Sequence, residues 1–188
     1  TTKLDQIKAN QRLTINYDEN NLVSNEKFMA KAKKQFETTN TPDLFKHNEN
    51  VFNDFEVEVL LPHKNSTLGP ALATGDLNGD GLDDYIVGTS VGQQAAVYIQ
   101  TNLGQFEELE IPDLAKDQYY EDLGIVIFDA DNDGDNDFYI ASGGNEFKPN
   151  SLGYEDRFYE NIGNNKFQRN KEAIPDTKIS GLNVSVSD

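Results

Sequence analysis

Cysteine is absent from this 188-residue chain, and so is tryptophan. Without cysteine there can be no disulfide and no thiolate metal site, and the redox compartment stays open. Basic residues are scarce: 16 Lys and Arg stand against 33 Asp and Glu, a formal net charge of −17 at pH 7. No basic stripe is present to neutralise phosphates, which argues against nucleic acid and against anionic lipid as partners. The densest basic run, Lys31 to Lys34, reads as one wet helix face. No apolar run approaches the ~20 residues of a membrane span. No signal peptide is visible, and a leader is expected, if anywhere, upstream. Catalytic signatures are missing as well. His47 and His63 are the only histidines, and there is no nucleophile elbow, phosphate loop or HExxH. An enzyme is not expected.

Two acidic loops carry most of the information that is present. The first reads DLNGDGLDD, Asp76 to Asp84, and the second DADNDGDND, Asp129 to Asp137. Oxygen-bearing side chains stand at positions one, three, five and nine of each, with Gly81 or Gly134 at position six. That spacing wraps a peptide around one hard cation, and calcium, which takes six to eight oxygens, suits it better than magnesium. The expected ligands in the first loop are Asp76, Asn78, Asp80 and Asp84, with the carbonyl of Leu82. In the second they are Asp129, Asp131, Asp133 and Asp137, with the carbonyl of Asp135. Two Ca2+ sites follow. An EF-hand is excluded because position twelve is Val87 or Ile140 rather than Glu, and strand-forming residues follow each loop. The alternative is a pair of Asp/Asn/Gly-rich hairpins with no metal.

The loops recur 53 positions apart within matching surroundings, roughly Thr67 to Ala115 and Tyr120 to Asp176, a period suited to one small antiparallel sheet per unit. Tyr85, Ile86 and Val87 stand where Phe138, Tyr139 and Ile140 stand. Val97 and Tyr98 correspond to Phe158 and Tyr159, and Phe106 to Phe167. Residues Gly181 to Asp188 alternate like the strands entering the loops, with Asp188 at position one of a third. Upstream, Leu13 to Tyr17 reads as a strand, Ser24 to Phe36 as a helix capped by Ser24, and Thr38 to Asp43 as a turn. Phe55 to Leu61 alternates and reads as a further strand ended by Pro62. The expected fold is therefore all-β: an incomplete β-propeller of about two calcium-loop blades plus flanking strands, with a short N-terminal strand and helix. The insert Gly143 to Asp156 is a candidate binding rim, with Asn145, Glu146, Tyr154 and Arg157 facing a glycan or protein; the alternative is a lid packed over a neighbouring blade.

The segments GDLNGDGLDDYIVG and FDADNDGDNDFYIASGG resemble the FG-GAP or VCBS repeat, which builds the blades of integrin-alpha-like propellers and holds calcium between the first two strands of a blade. The span from about Phe52 onward also resembles bacterial surface proteins of the CRTAC/UnbV-like class, and LDQIKANQRLTINY resembles the end of an ASPIC/UnbV domain. The resemblance implies a module tail over 1–22, a helix and linker over 23–50, and a partial propeller over 51–188. It gives metal roles to the ten loop residues and no catalytic residue. Two blades alone would expose sheet edges, so swapping or stacking between chains is expected. Loops of low affinity stay filled in millimolar calcium, which points outside the cell or to a bacterial surface. The functions that follow are a calcium-stabilised adhesion scaffold, a structural spacer, or a non-catalytic piece of a carbohydrate- or lipid-acting enzyme.

Overall fold

A computed structural model describes residues 12, 14, 45–102 and 104–187. Every element below lies in the unit Asp43–Asp188. The expected strand Leu13 to Tyr17, helix Ser24 to Phe36 and turn Thr38 to Asp43 lie outside the described residues.

Among the described residues, eight strands form two antiparallel four-stranded sheets. The first contains β1 (Leu72–Gly75), β2 (Asp84–Val87), β3 (Ala96–Asn102) and β4 (Gln105–Leu109) in sequential order. The second repeats it with β5 (Asp122–Phe128), β6 (Asp137–Ser142), β7 (Arg157–Asn161) and β8 (Phe167–Arg169). Each is an up-down meander, and the pair is an incomplete, propeller-like arrangement of blades. Among the described residues two short α-helices accompany them, α1 (Asp54–Val57) before the first sheet and α2 (Pro112–Lys116) between the sheets.

The repeat extends to the register. Gly75 pairs with Asp84 and Phe128 with Asp137, so both acidic loops leave the end of one strand and re-enter at the first residue of the next. Tyr85 faces Tyr98, and Phe138 faces Tyr159. Ring pairs follow from that alignment: Tyr85 stacks on Tyr98 at 4.8 Å and Phe138 on Tyr159 at 4.7 Å, with Phe106 and Phe167 closing each ladder at the next strand. The core lies between the sheets. Ile86, Val97 and Ile99 of the first join Phe138, Ile140, Tyr159 and Phe167 of the second, with Ile111 and Leu114 from α2 and its approach. Each such side chain contributes about 1.5–3 kcal/mol on leaving water. The first strands of the two sheets lie side by side. A side chain at Gly75 would press on Ile127, 3.0 Å away.

The segment Phe55 to Leu61 is not a strand. It forms α1 and then a turn, and Val57, Val59 and Leu60 are 65%, 79% and 96% exposed. An alternating pattern needs a sheet edge and a core to bury its apolar half, and this segment meets neither. Local polar chemistry sets its shape. The buried Asp54 carboxylate accepts the Asn65 and Ser66 N–H groups at 2.8 and 3.0 Å and the Ser66 hydroxyl, drawing 54 and 66 together.

At the far end, Gly181 N–H donates to the Ser142 carbonyl at 2.8 Å, just as Asp122 N–H donates to that of Thr89 at 2.8 Å. Gly181 thus stands against the second sheet where β5 stands against the first. A Cβ on Gly143 would collide with the Gly181 carbonyl oxygen and lie 2.6 Å from the Leu123 side chain. Gly143→Ala is therefore expected to release the 178–184 segment while both sheets persist. Hydrogen exchange checks this: the Gly181 amide should lose protection while Ile140 keeps its own, and equal protection in both proteins would contradict the close fit.

Candidate metal loops and the insert

In the second loop the backbone gathers three carboxylates. Asn132 and Gly134, at positions four and six, take positive φ of 63° and 98°, and Gly79 and Gly81 do the same in the first loop at 76° and 83°. These left-handed residues turn the chain inward on successive side chains. As a result one carboxylate oxygen from each of Asp129, Asp131 and Asp133 lies within 4.8 Å of the others. Asp129 Oδ2 accepts the Gly134 N–H at 3.1 Å, while its Oδ1 is shielded from water and has no hydrogen-bond partner among the described residues. Asp135 Oδ1 is likewise buried and unpartnered. Burial, then the adjacent Asp133, holds the Asp135 carboxyl above its ordinary value. Shielded acceptors amid like charges are costly without a counterion, so these residues fit a hard cation.

The first loop has the same frame with a different internal economy of donors. Asp76 Oδ1 accepts from Gly79 N–H at 2.7 Å, Asp80 N–H at 3.2 Å and Asn78 N–H at 3.3 Å, and its Oδ2 from Gly81 N–H at 2.8 Å. Asp80 Oδ1 accepts from Leu82 N–H at 2.8 Å, and the Asn78 amide donates to Asp80 Oδ2 at 3.1 Å. Position three is an amide here, so the loop offers one carboxylate fewer. Asp83 is exposed.

The ninth residues do something spacing alone does not reveal. Asp84 and Asp137 are buried, and both oxygens of each are committed to backbone. Asp84 accepts from Leu77 N–H at 2.7 Å and Gln100 N–H at 2.8 Å; Asp137 accepts from Ala130 N–H at 3.0 Å and Asn161 N–H at 2.8 Å. Each one ties the start of its loop to the third strand of its sheet. Burial raises both carboxyls despite these bonds, and the loop carboxylates at Asp80 and Asp76, or Asp131 and Asp133, raise them further. Asp137 stands outside the three-carboxylate group. Asp84→Ala should orphan two N–H groups at about 1–3 kcal/mol each, whereas Asp83→Ala should change stability by no more than about 0.5 kcal/mol. Urea unfolding of the two variants in chelator compares them without any metal contribution.

The loops are also joined to one another. The Asn136 amide donates to the Asp76 carbonyl at 2.7 Å, and the Asn161 amide to the carbonyls of Leu77 at 3.0 Å and Asn136 at 3.1 Å. Both Asn residues were unassigned from sequence.

The insert does not present its four expected residues as a rim. Arg157 is 1% exposed, paired with Asp122, bonded to Ser142 Oγ at 3.2 Å and laid over the Tyr120 ring at 4.3 Å. Tyr154 is buried, its hydroxyl donating to the Phe147 carbonyl at 2.7 Å and accepting the Phe147 N–H at 3.1 Å. Tyr154 is internal because the insert folds back on itself, with Phe147 lying across Gly153 and edge-on to Tyr154, and Arg157 is internal because it begins β7 and pairs with Asp122. Asn145 and Glu146 do line a groove of about 700 Å³, with Phe52, Val57, Phe147 and Ile179 among its walls. Behind it, Glu121 is 1% exposed. Burial, then Glu146, pushes its carboxyl up to about 8. His47 Nε2 lies 2.8 Å from Glu49 Oε1, so this imidazole is a partly exposed hydrogen-bonding group.

Comparison with known proteins agrees with this geometry. Residues 76–140 match the model of the FG-GAP-like repeat, a span that opens on Asp76 and contains both loops. Integrin alpha-4 of Xenopus laevis is 37% identical over 86 residues, 41% of this chain. The match covers 8% of that integrin's length. No solved structure matches the chain. The described residues thus form a β-sheet repeat module whose two-loop span is similar to the FG-GAP-like repeat and to part of an integrin alpha chain. Among them, no helix is long and apolar enough to cross a membrane.

Proposed function

We propose that this chain is a calcium-stabilised binding module of an extracellular or cell-surface protein, engaging a protein or glycan. The observation that carries the reading is the second loop: three carboxylate oxygens within 4.8 Å, beside a buried Asp129 oxygen that no other described residue satisfies. Asp129, Asp131 and Asp133 would hold the ion there, with the Asp135 carbonyl and water completing the shell; Asp76, Asn78 and Asp80, with the Leu82 carbonyl, would hold a second. Calcium would supply no reaction chemistry. Its part is to neutralise the loops so that the strands on either side stay paired. The likeness to an integrin alpha chain supports the surface location and the adhesive role. The groove beside Asn145 and Glu146 is the ligand seat this reading favours.

The finer reading follows the bacterial surface proteins of the CRTAC/UnbV-like class, with 1–22 as the tail of a preceding module and the segment from Gly181, which makes a single β-bridge to Gly143, as the opening of a third blade. Sheets left open in this way suit stacking or swapping between chains. A structural spacer is the second reading, favoured by the burial of Tyr154 and Arg157. Arrays of glycans and matrix proteins probed with the protein in calcium and in chelator separate the two. Calcium-dependent, saturable binding that is lost on Asn145→Ala supports the adhesive module. No saturable ligand in calcium contradicts it.

A further inference from the structure

Asn78–Gly79 is the only asparagine–glycine step in the chain, and it occupies positions three and four of the first loop. A glycine nitrogen is open to attack on the preceding side chain, because no Cβ stands in the way. Gly79 is exposed, takes a φ of 76° and has nothing within 4 Å of the place a Cβ would fill. The Asn78 side chain folds back along its own peptide. Its Oδ1 accepts the Asp80 N–H at 3.0 Å, the turn in which an Asn bonds backbone two residues on. Gly79 N–H donates to Asp76 Oδ1 at 2.7 Å, and Asn78 Nδ2 donates to Asp80 Oδ2 at 3.1 Å. The Asn78 amide carbon thus has beside it the parts of an acyl transfer. Gly79 supplies a nitrogen whose proton already points at a carboxylate. The Asp80 N–H sits on the oxygen that would gain charge, and the Asp80 carboxylate on the group that would leave. In the second loop the same positions hold Asp131 and Asn132, so position three has no amide to lose.

We propose that Asn78 is a self-modifying site, deamidated by the Gly79 nitrogen with help from the loop's own carboxylates. The Gly79 nitrogen bonds to Asn78 Cγ while its proton passes to the Asp76 carboxylate. The Cγ–Nδ2 bond then breaks, and Nδ2 takes up that proton and leaves as ammonia. The product is a succinimide joining 78 to 79, and water, the sole co-reactant, opens it. Opening at the side-chain carbonyl leaves an aspartate in place of Asn78. Opening at the main-chain carbonyl leaves an isoaspartate, whose backbone runs on through the side chain. The two products pull the loop in opposite directions. The aspartate gives position three the carboxylate that Asp131 gives the second loop. The isoaspartate adds a methylene to the main chain between positions three and four and puts Asp76 and Asp80 out of step. The first loop therefore carries a chemical clock that the second lacks.

The test incubates the native protein at neutral pH in chelator and maps its peptides by mass spectrometry over time. The peptide carrying Asn78 is expected to show the amide-to-acid mass gain, with isoaspartate detected there by enzymatic methylation. The same protein unfolded in urea is the reference, because it keeps the Asn–Gly step and loses the placement of Asp76 and the Asp80 N–H. Groups held in place should react faster than groups that must find each other. A folded rate above the unfolded rate supports the proposal. A folded rate equal to or below it overturns the proposal, since the loop would then lend the step nothing. Asp76→Ala should bring the folded rate down toward the urea rate and leave the urea rate itself unchanged. A folded rate as fast as the native one in that variant overturns Asp76 as the proton acceptor. Neither readout depends on whether the loop holds calcium.

Discussion

Arg157→Ala is expected to destabilise the fold by about 3–5 kcal/mol, the penalty for breaking a buried ion pair from one side. In a chain of this size that is on the order of 10 °C in Tm. Arg157 and Asp122 are both buried and paired, and the pair holds three elements together. Asp122 begins β5, and its Oδ2 accepts the Thr89 N–H at 2.9 Å, from the turn after β2 in the other sheet. Arg157 begins β7 and reaches Ser142 at the end of β6. Burial disfavours its charge, but Asp122 outweighs that and keeps the guanidinium firmly protonated. Removing Arg157 therefore strands a carboxylate at the junction of the sheets. Arg157→Lys should cost less while still losing the stacking on Tyr120, because an ammonium has no planar face. Urea unfolding measures both, and a loss under about 1 kcal/mol for Arg157→Ala would contradict the assigned role.

Removing calcium is expected to have an effect of comparable size. An ion that binds only the folded chain stabilises it by about 2.7 kcal/mol at one hundred times its Kd. Two filled loops would thus add on the order of 5 kcal/mol at saturation, and the melting temperature should fall steeply when excess chelator replaces calcium. The contribution should be unequal. The second loop places three carboxylates together where the first has two carboxylates and an amide, so Asp129→Ala should remove more of the calcium-dependent stability than Asp76→Ala. A melting temperature indifferent to chelator would show that the loops fold without an ion. Magnesium in place of calcium should restore less, since it demands a tighter octahedral shell.

The repeat was legible because two copies can be laid over one another. The pairing of Tyr85 with Tyr98 and of Phe138 with Tyr159, and the matching places of Phe106 and Phe167, follow from aligning the two loops. The gathering of Asp129, Asp131 and Asp133 follows from their alternate spacing and the turn at Gly134. The second role of Asp84 and Asp137 was not legible. Position nine reads as a ligand from spacing, and only the fold shows that its two oxygens are claimed by N–H groups on a strand 16 or 24 residues away. Arg157 was misplaced for a related reason. A lone arginine beside an insert reads as solvent-facing, because its partner Asp122 is 35 residues distant and carries no local signal. Phe55 to Leu61 alternates as well as any strand in the chain. Its failure to become one is decided by Asp54, whose carboxylate turns the backbone toward Ser66 and leaves the apolar side chains without a sheet to join.

A crystal structure grown in millimolar calcium tests the central claim most directly. The account predicts an ion within about 2.3–2.6 Å of oxygens from Asp129, Asp131 and Asp133, with the β5 and β6 backbone unmoved. Well-ordered loops whose carboxylates spread into solvent around empty density would contradict it.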